Sequence, residues 1–289
     1  MTPYYSRRTM TEGVLLHGLV LCTFIVAPRA TSRLFLGRSK RYDLAHGLAL
    51  LGLFVSAALD LPQATFVWPL FCALGVVLHL RNEGRRVFSL LGVARGLPFV
   101  FSLVSATWFV AGRNDLQLLG YPPTWSFYAA LHGSVLGWLV VGCTAHLASR
   151  TADRGLYLWS CLLSLPLFLF VAFGIDGVAH LKRIGAIGLS LIVPLVIGRF
   201  TLELRKRARV PFLVALVSFL GVIVTMTLAL LNEFWSGFPR SVFEMPTMLL
   251  VHGCVNALIV APAYALATAL DQDGVRGGER RDPRCCQMS

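Results

Sequence analysis

Apolar residues along the chain are grouped into nine long runs, separated by short segments that carry most of the charged side chains. Each run is long enough, or nearly so, to cross a hydrocarbon core about 30 Å thick as a helix. The pattern therefore predicts an all-α, polytopic integral membrane helical bundle of about nine transmembrane helices. The runs cover residues 13–28, 44–60, 65–81, 87–111, 124–147, 155–174, 184–200, 210–231 and 247–270.

An eight-span alternative stays open, because the first run is short and the seventh is bounded by Arg199. Loop charge favours nine spans. Alternate segments then carry 19 Lys and Arg residues on one side and 6 on the other, with Arg95 inside the fourth run. The positive-inside rule assigns the more basic side to the cytosol. We therefore expect the N-terminus outside and the C-terminus in the cytosol.

The chain is predicted to form one transmembrane bundle over residues 1–270. The remaining segment, 271–289, is charged and rich in glycine. Such a composition cannot bury enough apolar surface to fold by itself. We therefore expect a disordered cytosolic tail.

Composition agrees with a membrane protein, since 56% of the 289 residues are hydrophobic and only 14% are charged. The net charge of +12 is explained by the basic cytosolic segments and does not indicate a nucleic-acid partner. The expected partners are the lipid bilayer and a lipophilic small-molecule substrate. The sequence leaves the oligomeric state open.

Polar residues within the runs gather towards the predicted outer side. His252 and Asn256 lie one helical turn apart in the last run, and His132 lies about two turns below the outer surface. An unsatisfied polar group in hydrocarbon costs several kcal/mol, so these residues mark the interior of the bundle. Their alternative role is an interhelical hydrogen bond that locks the helices together.

Carboxylates near the same side supply candidate acids. Asp176 and His180 are four residues apart and would share one face of a helix. Glu233 and Glu244 flank the outer segment 232–246. The alternative for each carboxylate is an ordinary position facing water.

Motifs for metals and cofactors are missing from the spans. No H-x-x-x-H, H-E-x-x-H or D-D-x-x-D pattern and no glycine-rich phosphate loop occurs, and Lys40, Lys182 and Lys206 all lie in loops. These absences argue against a metal enzyme, a diphosphate-ionising enzyme, an ATPase and a retinal protein. We expect no metal and no cofactor.

Two short motifs carry a family resemblance. The segment His252-Gly-Cys-Val-Asn256-Ala257 resembles the H-G-x-x-N-A motif near the C-terminus of the YndJ-like membrane proteins of bacteria. The similarity extends over roughly residues 124–270.

The second motif begins at His132, whose segment 132–138 resembles that family's H-x-H-x-x-G-aromatic motif. Ser134 stands where the family has a second histidine. The resemblance implies importance for His132, His252 and Asn256, and it implies no particular reaction.

The polar cluster favours an intramembrane enzyme acting on a lipophilic molecule, most specifically a proton-initiated terpene cyclase. Protonating an alkene needs a carboxylic acid in a dry pocket, with aromatic faces to stabilise the cation. In this hypothesis Asp176 or Glu233 is the acid, and aromatic side chains with two polar neighbours bind the substrate. The predicted catalytic residues are Asp176, Glu233, His132, His252 and Asn256, and the predicted substrate-binding residues are Trp108, Trp138, Phe170, Phe173, Tyr264, Glu244 and His180.

Two other classes of function remain. A transporter for a small metabolite or a proton would also place histidines and carboxylates inside a bundle. Polar groups should then follow the whole path, whereas here they crowd towards one side. A membrane protein that binds a ligand without catalysis is the third hypothesis.

Overall fold

The computed structural model describes the backbone of residues 3–151, 153–175 and 178–279. Within these ranges, the side chains of residues 3–10, 175, 179 and 274–279 are outside the description.

In the described part of the chain, nine long helices fall on the nine predicted runs, which confirms the all-α bundle. Eight of them, among the described residues, are long and apolar enough to cross a membrane. Three short 3₁₀ turns (Pro62–Phe66, Gly84–Phe88 and Leu118–Gly120) connect them. The helices are α1 (Pro3–Phe35), α2 (Lys40–Ala58), α3 (Val67–Glu83), α4 (Leu90–Arg113), α5 (Pro123–Ala148), α6 (Arg154–Ile175), α7 (Ala179–Arg205), α8 (Arg209–Phe234) and α9 (248–279).

Helices α5 and α9 are not uniform. In α5, the stretch Gly133–Val140 is π-helical. Helix α9 starts with the π-helical segments Met248–Gly253 and Asn256–Val260 and continues as the α-helix Ala261–Glu279. A small antiparallel ribbon pairs Ser241 with Pro246 and Val242 with Met245 just before α9.

Helix α2 is the exception among the nine, because its first turn carries Lys40, Arg41 and Asp43. It nevertheless runs the full height of the bundle. Arg38, just before α2, pairs with Asp273 of α9, whereas Asp60, just after it, pairs with Arg113 at the end of α4. Nineteen residues at 1.5 Å each span about 28 Å, which is close to the thickness of a hydrocarbon core.

Ion pairs between connecting segments divide the bundle into two ends. The basic end contains segments 29–43, 81–86, 149–154 and 199–209 and the part of α9 from residue 271, and the opposite end contains segments 60–64, 113–122, 178–183 and 232–247. Two of these pairs are local, because Arg95 lies inside the fourth run and Arg199 and Glu203 lie in one segment. Each of the other pairs joins two segments that the nine-span alternation had assigned to the same side. The pairs are Arg33 and Arg38 with Asp273, Arg95 with Glu83, and Arg199 with Asp153 and Glu203 at the basic end, and Arg113 with Asp60, and Lys182 and Arg183 with Glu233, at the opposite end.

The predicted tail is partly helical. Helix α9 continues to Glu279, so residues 271–279 extend it beyond the predicted bundle, whereas residues 280–289 lie outside the described residues. The extension is held by Asp273, whose carboxylate pairs with Arg33 and Arg38.

An aromatic core packs the N-terminal half of the bundle. The rings of Phe24 and Trp68 stack with centroids 4.3 Å apart, and Trp138 lies 6.4 Å from Trp68. The Trp138 indole donates a 2.7 Å hydrogen bond to the Thr31 hydroxyl. This packing fixes α1, α3 and α5 against one another, while another face of α5, with Tyr128, His132 and Leu136, is directed towards α7, α8 and α9.

Candidate functional site

A cavity of about 220 Å³ lies between α5, α7, α8 and α9, with one contact from α6. Its wall is mostly aliphatic, with valine, leucine, alanine and methionine side chains from all of these helices. The polar side chains on the wall are Tyr128, His132, Lys182, Ser190, Asn232, Glu233, His252 and Asn256.

Two histidines from different helices face each other in this cavity. The rings of His132 on α5 and His252 on α9 have centroids 6.4 Å apart and planes only 26° from parallel. His132 Nδ1 lies 2.9 Å from the Tyr128 carbonyl oxygen, and His252 Nδ1 lies 2.9 Å from the Thr225 carbonyl oxygen. A carbonyl oxygen accepts only, so Nδ1 donates in both rings. In each neutral ring the lone pair is therefore on Nε2, which is left for a ligand.

Asn256 is held by the same residue as His252. Thr225 on α8 donates a 2.9 Å hydrogen bond from its hydroxyl to Asn256 Oδ1, while its carbonyl accepts from His252. With Oδ1 occupied, the amide NH₂ is the part of Asn256 that can contact a molecule in the cavity. Thr225 thus orients two neighbouring polar groups. It lies in an apolar run with no motif, so sequence reasoning missed it.

The backbone around these residues is unusual. The π-helical stretches of the described chain border the cavity: one follows His132, one contains His252, and one starts at Asn256. π-Helical turns are rare and occur frequently at functional sites. The wider turn changes which side chains share a face, so it sets the direction in which each polar group points.

Close helix packing positions His132. The Ser105 hydroxyl on α4 donates to the Ala130 carbonyl, 2.7 Å away, just before His132 on α5. Further along α5, a Cβ at Gly137 would overlap the Phe101 ring of α4. Only glycine allows this approach. The contact with α4 therefore fixes the π-helical part of α5 behind the cavity.

The end of the cavity nearer the helix termini has a polar rim, formed by Tyr128, Lys182, Asn232 and Glu233. Lys182 Nζ lies 2.5 Å from Glu233 Oε2, and Arg183 Nε lies 3.6 Å from Oε1. The Glu233 side chain is only 10% exposed. Its carboxylate is thus engaged by two cations at the rim, at the opposite end of the bundle from the basic end.

The structure brings together four of the five predicted catalytic residues around one cavity: His132, Glu233, His252 and Asn256. Asp176 lies outside the described residues.

The predicted substrate-binding residues lie elsewhere, and none of them lines the cavity. Trp138 belongs to the aromatic core. Tyr264 is fully buried against Phe200 and near the Thr144 hydroxyl. Trp108 packs edge-on against Tyr121, and Phe170 is half-buried on α6. The other three residues, Phe173, His180 and Glu244, are exposed.

Eight helices of membrane-spanning length among the described residues, with a mostly apolar cavity between four of the bundle's helices, define a multi-pass helical membrane protein. The chain matches the model of the YndJ-like protein family over residues 18–260, which is most of its length, and it belongs to that family. The match confirms the resemblance carried by the two histidine motifs and extends it into the N-terminal half. No match was found among curated proteins or among solved structures.

Proposed function

We propose that the protein is an intramembrane enzyme that moves protons on a lipophilic small molecule bound in the cavity. The observation that carries this proposal is the pair of facing histidines, each with its proton fixed on Nδ1 and its Nε2 free, in a mostly aliphatic wall. An apolar cavity with a few convergent polar groups is the usual form of a small-molecule site.

The paired rings suit a proton shift along the substrate. One neutral imidazole removes a proton from a carbon of the substrate, and the double bond moves along the chain. The second ring, in its protonated form, donates a proton from Nε2 at the other carbon. The two rings exchange roles at each turnover, so atoms and charge balance. An imidazole can accept a proton in its neutral form and donate one in its protonated form.

Asn256 completes the proposed site. Its amide NH₂ can donate to a substrate oxygen on which negative charge develops when the proton leaves. The Thr225 hydroxyl holds the amide in this orientation before the substrate arrives, so no reorganisation is needed during the reaction.

A proton-initiated terpene cyclase is the less supported form of the proposal. That reaction needs a protonated carboxylic acid and aromatic faces around the cation. Glu233 faces Lys182 and Arg183 instead. Among the described residues, Tyr128 is the one phenyl ring on the cavity wall. A proton shift by the histidine pair needs neither feature.

We further propose that the basic end lies in the cytosol, with the N-terminus outside. The difference of 19 against 6 Lys and Arg residues supports this orientation. The polar rim of the cavity would then lie near the outer surface.

The test compares lipid extracts, by untargeted mass spectrometry, from cells making the wild type, His132→Asn, His252→Asn or no protein. In asparagine, the amide nitrogen takes the place of Nδ1 and keeps the bond to the carbonyl, while Nε2 is lost. His46→Gln is the matched control, because His46 is a buried histidine away from the cavity whose Nε2 binds the Phe24 carbonyl.

We expect a species of unchanged mass and altered retention in the wild type and in His46→Gln, and its loss in both asparagine variants. If wild-type protein is present in the membrane and no species differs from cells without it, the enzyme proposal is wrong. The remaining hypotheses are then a transporter and a non-catalytic ligand-binding protein.

A further inference from the structure

A second depression runs along the outer flank of the helix pair α7 and α8, with a volume of about 510 Å³. Its wall is apolar over most of its length. Leu191, Leu195 and Ile223 on this wall are 65%, 55% and 43% exposed, which on a membrane protein means contact with lipid tails. We call it the α7–α8 groove.

The groove and the cavity share one pair of lining side chains among the described residues. Ser190 on α7 and Met226 on α8 line both spaces. The Ser190 hydroxyl contacts the Met226 sulfur at 3.8 Å, which is a weak hydrogen bond. Methionine is flexible and adapts to new neighbours, so this contact is easily broken and remade.

Helix α7 lacks one backbone hydrogen bond at the same point. Pro194 lies inside α7, and it has no N–H to bond the carbonyl four residues earlier, which belongs to Ser190. Proline inside a helix also bends it. Ser190 therefore has both a carbonyl without its helical N–H partner and a side chain held only by a weak hydrogen bond to Met226.

The polar rim is a poorer exit for an apolar chain. There, Glu233 is engaged by both Lys182 and Arg183. An apolar chain passing the rim would have to separate these charges without replacing their partners, which costs several kcal/mol.

We propose that Ser190 and Met226 form a lateral portal, and that the substrate is a long-chain lipophile dissolved in the bilayer. Its reactive end lies in the cavity beside His132 and His252, and its tail passes the portal into the α7–α8 groove. The inference rests on the proposed function for the meaning of the reactive end, and it adds the substrate class and the route of entry.

The first experiment uses two hexadecanol probes with full-length protein in phospholipid vesicles. One probe carries a photoactivatable diazirine beside the hydroxyl group, and the other carries it at the far end of the chain. We expect the first to label cavity residues such as Met248 and His252, and the second to label groove residues such as Leu195 and Ile223. Labelling confined to the groove with both probes would overturn the proposal, because it would mean ordinary lipid contact.

The second experiment closes the portal. Ser190→Cys and Met226→Cys are combined in a chain whose seven native cysteines are replaced, and the pair is bridged with a short, reducible bis-methanethiosulfonate. We expect the bridge to abolish cavity labelling, leave groove labelling unchanged, and reverse on reduction. The two single variants, treated identically, are the controls. Cavity labelling at an unchanged rate in the bridged protein would mean that entry is elsewhere.

A third variant needs no cross-link. Pro194→Ala supplies the missing N–H to the Ser190 carbonyl, and we expect cavity labelling to slow about fivefold, which corresponds to about 1 kcal/mol from one hydrogen bond. Pro166→Ala in α6 is the matched control, because Pro166 is also inside a helix and lines neither space. Equal rates in the two variants would contradict the role of Pro194.

Failure of the two proposals can be told apart. If the asparagine variants keep the product while portal closure blocks cavity labelling, the portal admits a ligand and the proton-shift chemistry is wrong. If the asparagine variants lose the product while the bridged protein is still labelled in the cavity, the proton-shift proposal is supported and the portal proposal is wrong.

Discussion

At the scale of single residues, the site depends on which partner each polar atom has. His132 and His252 both use Nδ1 for a backbone carbonyl, and this choice leaves Nε2 for chemistry. The partners of Asn256 and Glu233 also decide what each side chain can do. The Asn256 amide retains a free NH₂, whereas the Glu233 carboxylate is engaged by two cations. Residue type had made Glu233 a candidate acid, whereas the partners of these four side chains leave the free Nε2 atoms and the amide NH₂ facing the cavity.

Thr225→Val tests the residue that orients Asn256. The substitution removes the hydroxyl donor and retains the carbonyl that accepts from His252. We expect product formation to fall about fivefold, since one hydrogen bond is worth about 1 kcal/mol, and Thr225→Ser to restore it. Thr201→Val is the control, because the Thr201 hydroxyl bonds a carbonyl of its own helix. Equal losses in both variants would mean a general effect on folding.

Glu233→Gln separates an acid from a structural ion pair. The variant leaves Lys182 and Arg183 without their carboxylate partner. We expect a lower thermal unfolding midpoint in detergent, most clearly at low salt, with product formation retained per folded molecule. Loss of the product at an unchanged midpoint would instead make Glu233 the proton donor and return support to the cyclase form.

At the scale of elements, helices α5 and α9 combine π-helical and α-helical stretches where they border the cavity. Hydropathy marks α5 and α9 as spans but contains no signal for the wider turns. Their position depends on tertiary contacts such as Gly137 against Phe101. The element that presents His132 is therefore shaped by its neighbour α4.

Gly137→Ala tests this contact. The new Cβ would overlap the Phe101 ring, and overpacking of this kind costs about 1–3 kcal/mol. We expect a lower unfolding midpoint and partial recovery with Phe101→Ala in the same chain. Gly18→Ala in α1 is the control, because nothing lies within 4 Å of a Cβ there. A midpoint equal to that of the control would show that α5 can move away from α4 without cost.

At the scale of the whole molecule, ion pairs tie connecting segments together at each end of the bundle. Arg113 with Asp60 and Lys182 with Glu233 join segments at the opposite end, and Arg199 with Asp153 does so at the basic end. Loop charge had predicted the same alternation from the sequence. Helix α2 thereby becomes a ninth traverse of the bundle, although its first turn is charged.

Cysteine labelling tests the nine-helix topology and its orientation together. Gln63→Cys places a thiol at an exposed position beyond the C-terminal end of α2, and Arg41→Cys places one at an exposed position in its first turn. We expect a membrane-impermeant maleimide to label position 63 in intact cells and position 41 only after permeabilisation. Labelling of both positions from one side would mean that α2 does not span. The reverse pattern would invert the proposed orientation.

The sequence by itself determined the class, the helices and the depth of the central polar residues. Helices must satisfy their own backbone in hydrocarbon, so the length and spacing of apolar runs fix them. The cost of burying polar groups likewise identified His132, His252 and Asn256 as interior. The short motifs around them indicated the family that the match over residues 18–260 confirms.

Only the tertiary structure decided which residues share a cavity. A membrane helix is apolar on nearly every face, so its sequence has little periodicity to indicate which face is buried. The aromatic residues Trp138 and Tyr264 therefore looked like neighbours of the histidines, and they pack elsewhere. Thr225 looked like filler, and it orients His252 and Asn256. Depth follows from the hydrophobic pattern, whereas rotation about the helix axis follows from packing between helices.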